Sequence, residues 1–177
     1  MANKTEIRIG GSGGQGVVLA AQILGKAAVL DGKNALQTQA YGAEARGSLA
    51  KSEVIISDGK IGFPAVRKSD ILVAMSQESL NVLIKDLKQN GRLIVDSTNV
   101  PDTPETEAEV SKIPMTETAR KVFGEAMYAN MVMLGAFIRI TDLVSREAME
   151  RTIRENVSKK TVETNIKAFQ KGLELTH

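Results

Sequence analysis

The sequence predicts an α/β fold of three layers, a mainly parallel open sheet of Rossmann-like type with helices on both faces. Three observations predict it. Ile7 to Ala21 reads as a short strand, a turn holding five glycines between Gly10 and Gly16, and an apolar helix. From Asp70 onward, short apolar runs alternate with stretches of helical periodicity, as they do where helices cover both faces of a parallel sheet. Finally, 177 residues with 42% apolar content suffice for one buried core and are too few for two generous domains, so residues 1–177 are expected to form a single domain.

The elements follow in order. Glu6 to Gly10 alternates Ile7 and Ile9 with polar neighbours, a strand pattern. Gly11, Gly13 and Gly16 then fit G-x-G-x-x-G, in which the first glycine turns sharply, the second lets a phosphate approach the backbone, and the third packs helix on strand. Val17 to Leu30 is the helix, with Val18, Ala21, Leu24 and Ala28 at helical spacing and Asp31-Gly32 as its stop. A short strand, Asn34 to Gln39, leads into Tyr41-Gly42-Ala43-Glu44-Ala45-Arg46-Gly47-Ser48, too glycine-rich for a helix and too charged for core, hence a loop at the carboxyl end of the sheet.

Ser52 to Ser57, the turn Asp58-Gly59 and Ile61 to Phe63 read as a hairpin inserted into the βαβ rhythm. The rhythm resumes with strand Ile71 to Met75, helix Glu78 to Gln89 with Leu80, Leu83, Ile84 and Leu87 on one face, the stop Asn90-Gly91, and strand Leu93 to Asp96. Val100 to Glu109 is a surface loop, Val110 to Pro114 a further strand and Thr116 to Phe123 a helix. Tyr128 to Ile140 is apolar nearly all round, a central or interface helix whose methionines are expected to fill core gaps. Left without a partner, that helix would make the isolated chain self-associate. Ser145 to Leu175 reads as two amphipathic helices, the first capped by Ser145.

Composition narrows the chemistry. Lys plus Arg number 23 against 21 acids, so no overall field favours nucleic acid or an anionic membrane. There is no cysteine, which excludes a thiolate nucleophile and cysteine-ligated zinc or iron–sulfur centres on this chain, and the one histidine is His177. No run approaches the length of a membrane span, and the chain is expected in the cytoplasm. Gly16 is followed by Val17 rather than Lys-Ser/Thr, so there is no P-loop, and Asp58-Gly59 lacks the rest of a thiamin motif. No catalytic or metal-ligating residue is expected.

The candidate ligand contacts are Gly11, Ser12, Gly13, Gly14, Gln15 and Gly16, with Tyr41, Glu44 and Arg46 from the second glycine-rich loop. A free helix N-terminus behind the glycines would receive a phosphate. The competing reading is a tight strand-to-helix turn with no ligand. A dinucleotide site expects an acid about 20 residues beyond the glycines, and Thr38-Gln39 supplies none. Arg46 would clamp phosphate bidentately or pair with Glu44. Asn130, at the start of the apolar helix, would cap it or bond a neighbouring loop, the cap being the first expectation.

Together, Gly11-Ser12-Gly13-Gly14-Gln15-Gly16, Tyr41-Gly42-Ala43-Glu44-Ala45-Arg46-Gly47, and Asn130 with Leu134-Gly135 resemble the gamma subunit of 2-oxoacid:ferredoxin oxidoreductases over nearly the whole chain. Two small departures are Ala40, where many members have Ser, and Ser48, where many have a second Gly. The resemblance implies oxidative decarboxylation of a 2-oxoacid to acyl-CoA with electrons passing to ferredoxin. It implies that thiamin diphosphate, magnesium, iron–sulfur clusters and coenzyme A are handled through partner alpha and beta subunits, with a delta subunit as a further partner. On that view the chain is enzymatic only within the complex, and inactive alone. The alternative is a free-standing dinucleotide- or phosphate-ligand-binding Rossmann-like protein, and a third reading is a scaffold whose glycine loops touch only partner backbone.

Overall fold

The computed structural model describes residues 3–41 and 48–176. In chain order the elements are β1 (Lys4–Ser12), α1 (Val17–Leu30), β2 (Asn34–Tyr41), β3 (Leu49–Ser57), β4 (Ser69–Ala74), α2 (Gln77–Leu83), β5 (Leu87–Asp96), β6 (Glu109–Ile113), α3 (Met115–Phe123), α4 (Ala129–Thr141), α5 (Arg146–Asn156) and α6 (Val162–Glu174). One sheet orders the strands β2-β3-β1-β4-β5-β6. β1, β4, β5 and β6 run parallel, and β3 lies antiparallel between β2 and β1.

Alternation along each strand divides the core in two. Ile7 and Ile9 of β1, Ile71 and Val73 of β4, and Ile94 of β5 pack with α1, α4 and α6 on one face. Leu72, Ala74, Leu93 and Val95 point the other way, against Leu80, Leu83 and Leu87 and the loop residues Val100 and Ala108. Residues apolar on both sides of a strand are what a sheet covered on both faces requires. Coverage is unequal: α1 and α4 to α6 stack on the first face, and the second holds α2, seven residues long.

Two local expectations are corrected. Ile61 to Phe63 form no strand; Phe63 is half exposed with Arg67 stacked 4.8 Å from its ring centre. The antiparallel pair in the sheet is instead β2 with β3, and β3 has its other edge occupied by β1, so no edge was left for a segment after Asp58-Gly59. The helix expected over Glu78 to Gln89 ends at Leu83, passes through one 3₁₀ turn (Ile84–Asp86), and Leu87 already begins β5. Leu87 still packs with Leu80 and Leu83, which is why the helical spacing persisted in the sequence. Asn90-Gly91 is a strand irregularity, where the β4 register jumps from Ser69↔Leu87 to Ile71↔Arg92; a Cβ on Gly91 would lie 2.8 Å from the Asp70 carbonyl.

The helix signals hold elsewhere. Gly32, with φ 79°, follows the end of α1, and the Ser145 hydroxyl accepts from the Ala148 N–H at 3.1 Å as the N-cap of α5. Ser145 also donates to Asp31, so one carboxylate ties the end of α1 to the start of α5. The apolar helix is α4, buried from Ala129 to Ile138. It therefore offers no exposed apolar face for the self-association expected of it; Met131, Met133 and Met149 lie in the core as expected, whereas Met127, just ahead of the helix, is 56% exposed.

Candidate functional site

β1 runs from one end of the sheet to Ser12, and the chain reverses through Gly13 to Gly16 into α1. Gly14 (φ 91°) and Gly16 (φ 72°) hold the left-handed conformations that make this reversal possible. A Cβ on Gly11 would come within 2.6 Å of Gln15 Oε1 and 2.9 Å of Val17, so the first glycine lets the turn close on itself. At Gly16 the added carbon would meet Asn130 Nδ2 at 2.3 Å: the third glycine packs against α4 rather than against the strand.

No side chain caps α1. Its first helical bond is Ala20 N–H to the Gly16 carbonyl, so the N–H groups of Val17, Val18 and Leu19 form the leading end of the helix. Val17, Val18 and Leu19 line, with Ser12 to Gly14, Gly16 and Ala50, a depression of about 270 Å³. From Gly10 to Leu19 the sequence has no ionisable side chain. What this stretch itself offers an anion is therefore backbone amides and the helix dipole.

Two amides fix the turn. Gln15 Oε1 accepts from the Ser12 N–H at 2.7 Å, and its Nε2 donates to the Met75 carbonyl at 2.9 Å. That side chain spans the carboxyl ends of β1 and β4, the point where the chain turns outward in opposite directions along the sheet and where open α/β sheets have their crevice. Gln15 is thus bound within the turn by both ends of its amide. Asn130, 4% exposed, donates Nδ2 to the Gly16 carbonyl at 3.4 Å. The loop-bonding reading of Asn130 holds, and capping does not: Tyr128 occupies the N-cap of α4, without a side-chain cap bond. Asn130 Oδ1 is buried with no hydrogen-bond partner among the described residues.

Of the second loop, Tyr41 closes β2 and pairs with Ala50, while Glu44 and Arg46 lie outside the described residues. The described ends of that loop adjoin the glycine turn. Leu49 is the register partner of Ser12, and the Gly13 N–H donates to the Ser48 carbonyl at 2.9 Å. β2 carries Thr38, Gln39 and Ala40 at the position where a dinucleotide site needs its ribose-binding acid. Neither Met75 nor Ala50 carried a sequence signal for the site; both enter through strand register.

The buried charges lie away from the turn. Arg8, 3% exposed, stands opposite Glu53 in the β1–β3 register and bonds it twice, at 3.0 and 2.8 Å, with a third bond to the Val66 carbonyl at 2.7 Å. Burial alone would raise the Glu53 carboxyl, but the hydrogen bonds and charge of Arg8, then Lys51, hold it below its ordinary value. No group of three or more His, Cys, Asp or Glu among the described residues is placed to hold a metal. No helix among them is long and apolar enough to cross a membrane.

Residues 6–175 match the family model described as pyruvate ferredoxin/flavodoxin oxidoreductase. The chain belongs to this family. It is 47% identical to the 2-oxoglutarate synthase subunit KorC of Methanocaldococcus jannaschii, over 97% of this chain and 94% of that one. It is 35% identical to the pyruvate synthase subunit PorC of the same organism, over 93% of each. The crystal structure of the keto/oxoacid ferredoxin oxidoreductase gamma subunit from Geobacter sulfurreducens superposes with a TM-score of 0.86 at 43% identity, covering 96% of both chains. The chain is therefore a gamma subunit of the 2-oxoacid:ferredoxin oxidoreductases, with the mixed six-stranded open sheet of that subunit, and its relatives are subunits of oxidoreductase complexes.

Proposed function

We propose that this gamma subunit serves an oxidoreductase that oxidatively decarboxylates 2-oxoglutarate, releasing carbon dioxide, to the coenzyme A thioester of the acid one carbon shorter and passes the electrons to ferredoxin. The observation that carries the choice of acid is the gap in identity, 47% to a 2-oxoglutarate synthase subunit against 35% to the pyruvate synthase subunit of the same organism. Thiamin diphosphate, magnesium and iron–sulfur clusters belong, in this reading, to alpha, beta and delta partners. The residues of this chain do not fit a cluster, since it has no cysteine. The complex reconstituted with this chain, assayed with ferredoxin on 2-oxoglutarate, pyruvate and 2-oxoisovalerate, is expected to favour 2-oxoglutarate. A preference for pyruvate overturns the substrate. The chain alone is expected to be inactive and free of iron, and stoichiometric iron in it would refute the division of labour.

Within the complex the chain, acting as one domain, presents the glycine turn to coenzyme A. Gly11 to Gly16 and the leading amides of α1 take a phosphate, with Tyr41, Glu44 and Arg46 as its further contacts. In support, the α1 N-terminus is free of side-chain caps, the depression before it is lined by Ser12, three glycines and the first turn of α1, and Gln15 and Asn130 hold the turn in shape. Gly13→Ala places a methyl group in that wall, and Arg46→Lys keeps charge but loses the planar fork. Each is expected to raise the KM for coenzyme A roughly tenfold, about 1.4 kcal/mol, and leave that for the 2-oxoacid little changed. Poor assembly with a normal KM once assembled would make both loops interface elements instead.

A further inference from the structure

β1 and β4 do not simply part at their carboxyl ends. Their parallel register runs from Ile7↔Ile71 to Gly10↔Ala74, and the Met75 N–H extends it by donating to the Gly10 carbonyl at 2.8 Å. In a parallel ladder a residue that donates to one partner carbonyl accepts from the N–H two residues further on, so the next rung would join the Ser12 N–H to the Met75 carbonyl. A side chain occupies that rung. The Ser12 N–H donates to Gln15 Oε1 at 2.7 Å, and Gln15 Nε2 donates to the Met75 carbonyl at 2.9 Å. At Gly11, between the two ends of the rung, a Cβ would stand 2.6 Å from Gln15 Oε1 and 3.3 Å from the Met75 Cβ, so the inserted amide needs a residue without a side chain there.

The other amides of the turn show what this arrangement leaves open. The Gly13 N–H donates to the Ser48 carbonyl, that of Gln15 to the Ser12 carbonyl and that of Ala20 to the Gly16 carbonyl. The N–H groups of Gly14, Gly16, Val17, Val18 and Leu19 have no partner among the described residues. All five residues line the depression before α1.

We propose that Gln15 is a positioning residue for coenzyme A and not one of its contacts: its carboxamide, spliced into the β1–β4 ladder, holds the two strand ends one amide apart and so sets how those five N–H groups are presented. The proposal rests on the coenzyme A reading above and narrows it. The side chain of Gln15 and the N–H groups of Ser12 and Gly13 are engaged within the chain, so a phosphate takes its hydrogen bonds from Gly14, Gly16 and the first turn of α1. Without the amide, the Ser12 N–H and the Met75 carbonyl can meet directly. The ladder then gains its ordinary rung, and the crevice between the strand ends narrows.

Hydrogen exchange of the full wild-type chain, followed by NMR without ligand, is expected to be slow at the Ser12 N–H and the Gln15 side-chain amide and fast at Gly14 and Val17. In the reconstituted complex, Gln15→Ala is expected to raise the KM for coenzyme A roughly tenfold, short of the ~100-fold that a misplacement of about 1 Å brings. Turnover at saturating coenzyme A and the KM for the 2-oxoacid should change little. Gly11→Ala keeps Gln15 but crowds its amide out, so it should give the same rise and add little in the Gln15→Ala background. Fast exchange at Ser12 in the wild type overturns the proposal, and that measurement decides even where the variants assemble poorly. A KM unmoved by Gln15→Ala in assembled complexes also overturns it; if Gly13→Ala still raises that KM, the phosphate reading stands without it. Effects of Gly11→Ala and Gln15→Ala that multiply would make Gln15 a direct contact of the ligand, against the proposal.

Discussion

Gly172→Ala is expected to cost about 3 kcal/mol of stability, because two helix backbones touch where the methyl group would go. A Cβ on Gly172 would stand 2.0 Å from the Val132 carbonyl of α4, and one on Gly135 would stand 2.0 Å from the Phe169 carbonyl of α6. Neither obstacle is a side chain that can rotate away, so the helices must separate, and with them the layer holding Phe137 and Phe169, both fully buried. At this chain length the loss corresponds to a fall in Tm of roughly 6–12 °C. Gly135→Ala should behave alike. The double variant should cost little more than either single one, because the first separation already makes room for the second methyl group. Gly62→Ala, with nothing within 4 Å of the added carbon, is the neutral control. Melting curves in which Gly172→Ala and Gly62→Ala coincide would refute the close crossing.

At the two ends of α1 the glycine signals read true, as those at Asp58-Gly59 and Asn90-Gly91 did not. α1 spans Val17–Leu30 because Gly16 can adopt φ 72° at its start and Gly32 φ 79° beyond its end, conformations that only glycine adopts without strain. α4 was legible as buried because no polar stripe interrupts it, and Asn130 stood out there as a polar residue needing a partner. What the residues do not announce is which strands become neighbours. The position of β3 between β2 and β1 follows from long-range pairing, and once both its edges are taken the residues after Asp58-Gly59 leave the sheet. At the site, the glycine spacing located the turn, but the inward fold of Gln15 depends on Met75, sixty residues away in sequence, and no local pattern encodes it. The signal for Arg8 and Glu53 was present: each is a charge set into an apolar strand run, and opposite charges in two such runs suit a cross-strand pair.

Arg8→Met is expected to be the more damaging change at that pair, costing about 3–5 kcal/mol, since it strands a carboxylate in a site built for an ion pair. Glu53 is 9% exposed and would keep only Lys51, at 3.2 Å, and the weak 3.4 Å bond from the Val66 N–H. The Val66 carbonyl would also lose its donor, loosening the loop between β3 and β4. Arg8→Met/Glu53→Leu should recover much of the loss, because removing both charges also removes their desolvation cost. The pH dependence distinguishes this cause from simple loss of packing. In the wild type the folded carboxyl titrates below its ordinary 4.5, so its contribution is fully present above that value and is lost as pH falls through the lower folded one. In Arg8→Met, burial is left opposed only by Lys51 and the long Val66 bond and pushes the carboxyl up, so protonation relieves the variant as pH falls. The stability gap between wild type and Arg8→Met should therefore narrow from neutral pH to about pH 4, as read from urea midpoints at each pH. A gap that stays constant over that range would mean that Arg8 acts through the packing of its stem, and that the charge on Glu53 is not what its loss exposes.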